Sequence, residues 1–173
     1  VKGIDIKVTP MVDSRNAANI TFKDLKLSSS NLIGEENSSD QIIEEVLDIS
    51  RSVISAEMFG GIQEAFDVTL NYLKERDQFG SKIGSFQALQ HRAAIMFSEI
   101  ELCKSIVLKA LQAIDSNDKN LSELASLAKS KLGLTSKLVT ILPEYLLDLN
   151  SSAKKSNAAG LIFVLGLPIF EIR

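Results

Sequence analysis

Three long stretches of the chain carry apolar residues at steps of three and four, the spacing of a helix that buries one face. The first runs without proline from Gln41 to Glu75, and the second runs from about Ser85 to Asp115. The polar, turn-forming residues 115–120 end the second stretch, and a third starts near Leu121 and continues towards Pro143. Three long helices joined by short turns predict a mainly α fold, an antiparallel bundle of long helices.

The apolar positions also predict which side of each helix is buried. The predicted apolar side of the first helix consists of Ile42, Val46, Ile49, Val53, Ala56, Phe59 and Ile62. That of the second helix consists of Leu89, Ala93, Met96, Ile100, Cys103, Val107, Leu108 and Leu111. The apolar positions that indicate the third helix are Leu124, Leu127, Leu132, Leu138 and Ile141.

The first thirty residues follow a different pattern, because apolar and polar residues alternate in Gly3–Met11 and again in Asn19–Leu27. Two strands are therefore expected. A pair of strands is marginally stable alone, so we expect a sheet whose other strands are missing here. The serine-rich and acidic residues 28–40 have the composition of a linker and a helix start. We therefore divide the chain into a β remnant with its linker at 1–37, a helical bundle domain at 38–140 and an unassigned tail at 141–173.

The tail contains the most apolar run of the chain, residues 160–169, which could be a strand or the end of a buried helix. This run has about half the length needed to span a bilayer and is interrupted by Gly166 and Pro168. We therefore expect no membrane span. No charged and apolar leader opens the sequence, so we expect no secretory signal.

Residues 76–91, RDQFGSKIGSFQALQH, join the first two helices, and their two glycines favour a corner over a continuous helix. Arg76, Gln78 and Phe79 fall at the end of one helix, and Gln87 falls in the first turn of the next. A fixed cation, amides and an aromatic face can together hold a planar ligand that carries phosphate. Without further context, Arg76 would be a cation at a helix carboxyl end that interacts with the helix dipole.

Charge and cysteine content narrow the classes of function. The net charge of −3 and a pI near 5.3 give no basic surface for nucleic acid. The single cysteine, Cys103, lies in an apolar helical pattern and is expected to be a buried structural thiol, which fits a reducing cytoplasm. The only histidine, His91, has no metal-binding neighbours at suitable spacing and is expected at the surface or between helices.

Residues 47–96, LDISRSVISAEMFGGIQEAFDVTLNYLKERDQFGSKIGSFQALQHRAAIM, resemble the carboxy-terminal helical domain of the acyl-CoA dehydrogenases. The resemblance is carried by Arg76-x-Gln78-Phe79-Gly80 followed by Phe86-Gln87. The segment FQALQHR, residues 86–92, is most similar to the pimeloyl-CoA dehydrogenase small-subunit branch. The two strands and Leu32-Ile33-Gly34 resemble the end of that family's middle β domain. The resemblance covers residues 1–138, and nothing after about Thr140 matches it.

The resemblance implies an FAD enzyme that removes a proton and a hydride from adjacent carbons of an acyl-CoA thioester. It places Arg76 and Gln87 at the FAD of a neighbouring subunit, with Gln78, Phe79 and Phe86 as companions. The implied partners are therefore further copies of the chain or a partner subunit. Electron-transfer flavoprotein and oxygen both remain open as the electron acceptor.

The resemblance also places Asp48 and Arg51 near the acyl-CoA ligand, three residues apart on one helical face. Ser50 stands where one branch has its catalytic glutamate, and the family's later carboxylate loop is absent, so the catalytic base is unknown. Glu57 and Glu171 are the remaining nominees, although such carboxylates are usually only solvated. The sequence thus indicates a fragment or truncated subunit of the enzyme, or else a non-catalytic helical module that forms oligomers.

Overall fold

The computed structural model of the chain describes residues 3–11 and 16–148, with side chains described as far as residue 141. Strands β1 (Ile4–Thr9) and β2 (Ala17–Phe22) and a short 3-10 turn (Ser29–Asn31) precede helix α1 (Ser39–Glu75). Strands β3 (Asp77–Gln78) and β4 (Ser81–Lys82), a second 3-10 turn (Ile83–Ser85), α2 (Gln87–Asp115) and α3 (Leu121–Asp148) follow. The prediction of a mainly α fold with long helices and a short β segment is confirmed.

The chain divides into two compact units, Val1–Ile43 and Glu44–Arg173. The division at residues 37 and 140 drawn from the sequence stays a prediction. In the first unit, β1 and β2 pair antiparallel, with Ile4 opposite Phe22 and Ile6 opposite Ile20. Opposed residues share one face of a sheet. Ile6 and Phe22 are 57% and 63% exposed, so this apolar face is open to solvent.

In the second unit, α1, α2 and α3 contribute to one hydrophobic cluster. Its members are Met58, Ile62, Ala65 and Phe66 of α1, Met96, Ile100, Cys103 and Val107 of α2, and Leu132 and Val139 of α3. The turn between α2 and α3 includes Asn117, whose φ of 50° and backbone bond to Ile114 reverse the chain. Most of the side predicted for α2 is confirmed, except that Leu108 is 50% exposed.

The predicted buried side of α1 is wrong in its first half. Ile42, Val46 and Val53 are 42%, 55% and 55% exposed, whereas Ser52 and Ser55 are fully buried. The Ser52 hydroxyl donates to the carbonyl of Asp48, and that of Ser55 donates to the carbonyl of Arg51. Because these hydroxyls are satisfied within the helix, the serines can be buried without an orphaned polar group. Apolar residues lie on several sides of α1, so periodicity alone predicted the wrong buried side for the first half of this helix.

Small residues also form most of the buried side of α3. Ala125, Ala128 and Ser136 are fully buried there together with Leu132. Of the other residues through which this helix was traced, Leu127, Leu138 and Ile141 are exposed. Small side chains allow helices to approach closely, whereas Leu127, Leu134 and Leu138 lie on the outer surface.

Two polar contacts link α2 to α3. The Cys103 thiol donates to the Thr135 hydroxyl over 3.2 Å in the interior, and Lys131 of α3 forms a half-buried ion pair with Glu99 of α2. Burial raises the pKa of the Cys103 thiol, and the hydrogen bond to Thr135 only partly offsets it. Cys103 is completely buried, as expected from the sequence. Within the described residues, no helix has the length and apolar character needed to cross a membrane.

Two leucines of α3 test where the core lies. Leu132 is fully buried and Leu134 is 67% exposed. Leu132→Ala is expected to lower the free energy of unfolding by about 2–5 kcal/mol, because it removes packed methyl groups and leaves a cavity. The matched control Leu134→Ala is expected to change it by less than about 0.5 kcal/mol. Urea unfolding of both variants measures the difference, and equal losses would show that the assigned core is wrong.

The Cys103 thiol provides a second test, because thiolate is the reactive form. A raised pKa and full burial both predict slow reaction of the folded chain with Ellman's reagent near pH 8. Unfolding in urea is expected to increase the rate by at least about a hundredfold. Since the folded pKa is raised, the thiol's contribution to stability is fully present below the unfolded pKa and is lost as the pH rises through the folded pKa. Fast labelling of the folded chain would contradict this placement.

Candidate functional site

The corner between α1 and α2 contains a tight hairpin that the sequence did not predict. β3 and β4 pair antiparallel, with Asp77 opposite Lys82 and Gln78 opposite Ser81. Only Phe79 and Gly80 connect them, and both have positive φ, 56° and 79°. Positive φ at both central residues defines the two-residue turn that suits a twisted hairpin. Phenylalanine rarely adopts this conformation, so Phe79 is held there by its surroundings.

The hairpin presents an aromatic surface. The Phe79 side chain is 85% exposed and that of Phe86 is 37% exposed. Their ring centroids lie 6.2 Å apart in an edge-to-face arrangement. Phe66, in contrast, is buried in the core, and Phe59 packs against it. The structure therefore separates two core phenylalanines from two exposed ones, and the exposed pair can pack against a flat ligand ring.

Backbone contacts fix the corner to the end of α1. The amide of Ile83 donates to the carbonyl of Arg76 over 2.9 Å, and the Ile83 side chain is buried. Gly84 lies against the backbone of α1, because a Cβ added there would be only 2.7 Å from the carbonyl oxygen of Leu73. A side chain at position 84 would therefore push the corner away from the helix.

The start of α2 has the features of an anion site, although those features alone do not identify a ligand. Phe86 occupies the N-cap position, supplies no side-chain cap, and is followed by a first turn without acidic residues. The helix therefore keeps its partial positive charge there, next to the exposed Gln87. Gln90 donates its side-chain amide to the carbonyl of Gly84 and so supports the turn. His91 is exposed.

Arg76 is half-buried at the end of α1, where its amide donates to the carbonyl of Tyr72. The structure thus brings Arg76, Gln78, Phe79, Phe86 and Gln87 into one corner of the chain, between α1 and the first turn of α2. A guanidinium, two amides, two exposed rings and an uncapped helix start are donors that suit a phosphate-bearing aromatic ligand. The chemistry of this set fits the cofactor that the sequence suggested.

Asp48 and Arg51 form a separate site on α1. The Arg51 guanidinium donates to the buried Asp48 carboxylate over 2.5 Å and lies 4.0 Å from Glu44. The Arg51 side chain keeps 36% of its surface exposed, so it is the more accessible partner. Ser50 points its hydroxyl at the carbonyl of Val46. Arg51 precedes Arg76 by 25 residues, about 38 Å along the helix.

The described residues do not identify a catalytic base. Glu57 is exposed on α1, and Glu171 lies outside the described residues. Among the described residues, no group of three or more histidine, cysteine or acidic side chains is placed to hold a metal ion. The chemistry that these residues support is therefore ligand binding and positioning.

The sequence predicted the corner from its glycines but not the roles of Asp77 and Lys82 in its shape, nor the close backbone contact at Gly84. Asp77 and Lys82 flank the turn with opposite charges, a pattern that favours cross-strand pairing. That signal was available, but Phe-Gly lacks the asparagine or aspartate that usually marks a two-residue hairpin. The close approach at Gly84 depends on the fold and leaves no signal in the local sequence.

Comparison with known proteins gives a consistent result. Residues 40–141 match the family model described as acyl-CoA dehydrogenase, C-terminal domain. A probable acyl-CoA dehydrogenase of Bacillus subtilis, YngJ, is 40% identical over 106 residues, which cover 61% of this chain and 28% of that protein. The caffeyl-CoA reductase-Etf complex subunit CarC of Acetobacterium woodii is 35% identical over 112 residues, covering 65% of this chain and 29% of the relative.

The fold agrees with these similarities. Butyryl-CoA dehydrogenase from Megasphaera elsdenii superimposes with a TM-score of 0.81 at 23% identity, over 95% of this chain and 44% of that one. The match covers 28% and 29% of the two curated relatives, so the chain spans less than a third of their length. These comparisons confirm the family resemblance and the fold.

Two glycines test the close contact at the corner. Gly84→Ala is expected to lower the free energy of unfolding by about 1–3 kcal/mol, because the new methyl group meets the Leu73 carbonyl. The control Gly60→Ala places the same group on α1, where nothing lies within 4 Å. Alanine is the better helix former, so this control is expected to raise stability by about 0.5–1 kcal/mol. Chemical unfolding measures both, and a stabilising Gly84→Ala would refute the contact.

Proposed function

The chain belongs to the acyl-CoA dehydrogenase family, and we propose that it is the carboxy-terminal part of an FAD-dependent enzyme that desaturates acyl-CoA thioesters. The reaction creates a double bond between the α and β carbons of the acyl group. The observation that carries the proposal is the corner between α1 and α2, where Arg76, Gln87 and the exposed Phe79–Phe86 pair lie together.

In this proposal the corner binds FAD, which supplies the hydride acceptor when bound. Arg76 binds the pyrophosphate region through its guanidinium, which suits phosphate oxygens better than a point charge does. The uncapped start of α2 adds partial positive charge beside Gln87. Phe79 and Phe86 offer ring faces and edges to the flat part of the ligand, and Gln78 supplies a further amide.

The same proposal assigns the FAD to a neighbouring copy of the chain or to a partner subunit. Arg51 and Arg76 are separated by about 38 Å along α1, so the corner lies far from the residues that are proposed to contact the acyl-CoA ligand in the same chain. The simplest arrangement is therefore an active site in which the corner comes from one chain and the Asp48–Arg51 pair comes from another. This separation supports an oligomer as the active unit.

Arg51 is proposed to contact the acyl-CoA ligand, with Asp48 holding it in place. The 2.5 Å hydrogen bond and the burial of Asp48 restrict the guanidinium to one side of α1. A positively charged group held in this way suits the phosphates or the carbonyl oxygen of a CoA thioester. Removal of the α-proton requires a carboxylate base, which we assign to none of the described residues because Ser50 cannot fill that role.

We further propose an electron-transfer flavoprotein as the electron acceptor and the cytoplasm as the site of action. One relative is a subunit of a caffeyl-CoA reductase-Etf complex, which supports the choice of acceptor. The low content of cysteine, with Cys103 buried, agrees with a reducing compartment. Oxygen as acceptor stays the alternative.

A second candidate function is a helical module that forms oligomers without chemistry. It is favoured by the exposed leucines of α3, since Leu127 and Leu134 are separated by seven residues and are 53% and 67% exposed. Ile141 continues the same spacing and is 48% exposed. Apolar residues at this spacing can pack against a second helix. The module would retain this surface and would not bind FAD.

Titration with FAD tests the first candidate. The purified chain is expected to bind FAD saturably, and Arg76→Ala is expected to weaken binding about tenfold to a hundredfold by removing a charged hydrogen-bonding group. Arg76→Lys keeps the charge and is expected to recover only part of the loss. The control Lys109→Ala removes an exposed cation more than five turns from the start of α2 and is expected to have no effect.

Oligomer size should be recorded for every variant by light scattering. A stable oligomer that binds no FAD would contradict FAD binding by this chain alone and would favour the non-catalytic module. Equal weakening by Arg76→Ala and Lys109→Ala would show a general charge effect, and the corner would then lose its assigned role.

A further inference from the structure

Lys82 makes two contacts across the corner. Its ammonium donates to the carbonyl oxygen of Glu75 over 2.8 Å and to the carboxylate of Asp77 over 2.5 Å. Glu75 is the last residue of α1, where backbone carbonyls lack helical partners and carry partial negative charge. An ammonium has three donors and no acceptor, so it can satisfy both oxygens at once.

The backbone at Lys82 is also fixed by hydrogen bonds. Its carbonyl accepts a hydrogen bond of 2.7 Å from the Ser85 hydroxyl, and its neighbour Ile83 donates to Arg76. In the hairpin register, Asp77 lies directly opposite Lys82. The four residues between them contain the turn, so the distance from Asp77 to Lys82 determines how tightly Phe79 is held.

Phe79 needs such a restraint. Its φ of 56° is unfavourable for phenylalanine, and its ring is 85% exposed, so contacts of the ring itself contribute little. The hairpin has only two residue pairs, which cannot be stable alone. Loss of the contacts to Lys82 therefore frees the turn to leave this conformation and moves the ring away from Phe86.

We propose that Lys82 is a positioning residue for the cofactor, which ties the end of α1 to the hairpin and so holds the Phe79 ring where a flat ligand ring can pack. The inference rests on the proposed FAD role of the corner. Lys82 acts through Phe79 and does not itself touch the cofactor. The side chains of Lys82 and Asp77 are 51% and 69% exposed, so the pair contributes little to global stability.

A double-mutant cycle separates this role from direct contact. Lys82→Met keeps the length of the side chain and removes the ammonium, and it is expected to weaken FAD binding about fivefold. Phe79→Ala is expected to weaken binding as well, and adding Lys82→Met to it is expected to cause no further loss. Lys82→Arg, which keeps the donors, is expected to restore affinity to within about twofold.

The control Lys74→Met removes an exposed cation from the last turn of α1 and is expected to leave affinity unchanged. If Lys82→Met weakens FAD binding equally in the wild-type chain and in Phe79→Ala, Lys82 contacts the cofactor directly and the proposal is overturned. If the wild-type chain binds FAD and Lys82→Met leaves the affinity unchanged, the positioning role of Lys82 is overturned and the proposed FAD site stands. A wild-type chain that binds no FAD would reject the proposed function instead.

A second readout needs no cofactor. The chain contains no tryptophan, so Phe79→Trp introduces a single fluorescent probe at the turn. Time-resolved anisotropy is expected to show faster local motion of the indole when Lys82→Met is added, and unchanged motion when Lys74→Met is added. Equal motion in all three proteins would overturn the positioning role whether or not FAD binds.

Discussion

The reversal of the chain between α1 and α2 depends on a close approach of backbone to backbone. Gly84 lies against the Leu73 carbonyl, and the amide of Ile83 donates to Arg76. These contacts leave no space for a side chain at position 84. Because the second helix starts only two residues after Ser85, its direction and the surface beside it follow from this approach. The exposed phenylalanine pair and the uncapped helix start are consequences of the same turn.

The helices could be predicted from the sequence because each is long, contains few breaking residues and ends at a polar or glycine-rich segment. The buried side of α1 was predicted correctly at Ile62 but wrongly in its first half, where Val46 and Val53 are exposed. Ser52 and Ser55 decide the outcome by bonding their hydroxyls to the preceding turn. Periodicity counts apolar residues and therefore overlooks small polar residues that pack well.

Part of the candidate site could be predicted from the sequence, but only through the resemblance to the family and not through periodicity or composition. Arg76 and Gln87 were nominated from the resemblance to the family, and the structure places them at one corner. The hairpin that shapes this corner was missed, since its Phe79-Gly80 turn relies on tertiary contacts and the ion pair of Asp77 with Lys82. Asp48 and Arg51 were nominated for a different ligand, and the 25 residues of helix between Arg51 and Arg76, about 38 Å, keep the two sets of residues apart within one chain.

Amide chemical shifts of the isotope-labelled chain during addition of FAD test whether the corner between α1 and α2 binds the cofactor. The shifts of Gln78, Phe79 and Gln87 are expected to change and saturate together, while Asn117, in the turn at the other end of α2, keeps its shift. Changes spread evenly over α2 and α3, or none at the corner at saturating FAD, would contradict the claim that this corner is a cofactor site.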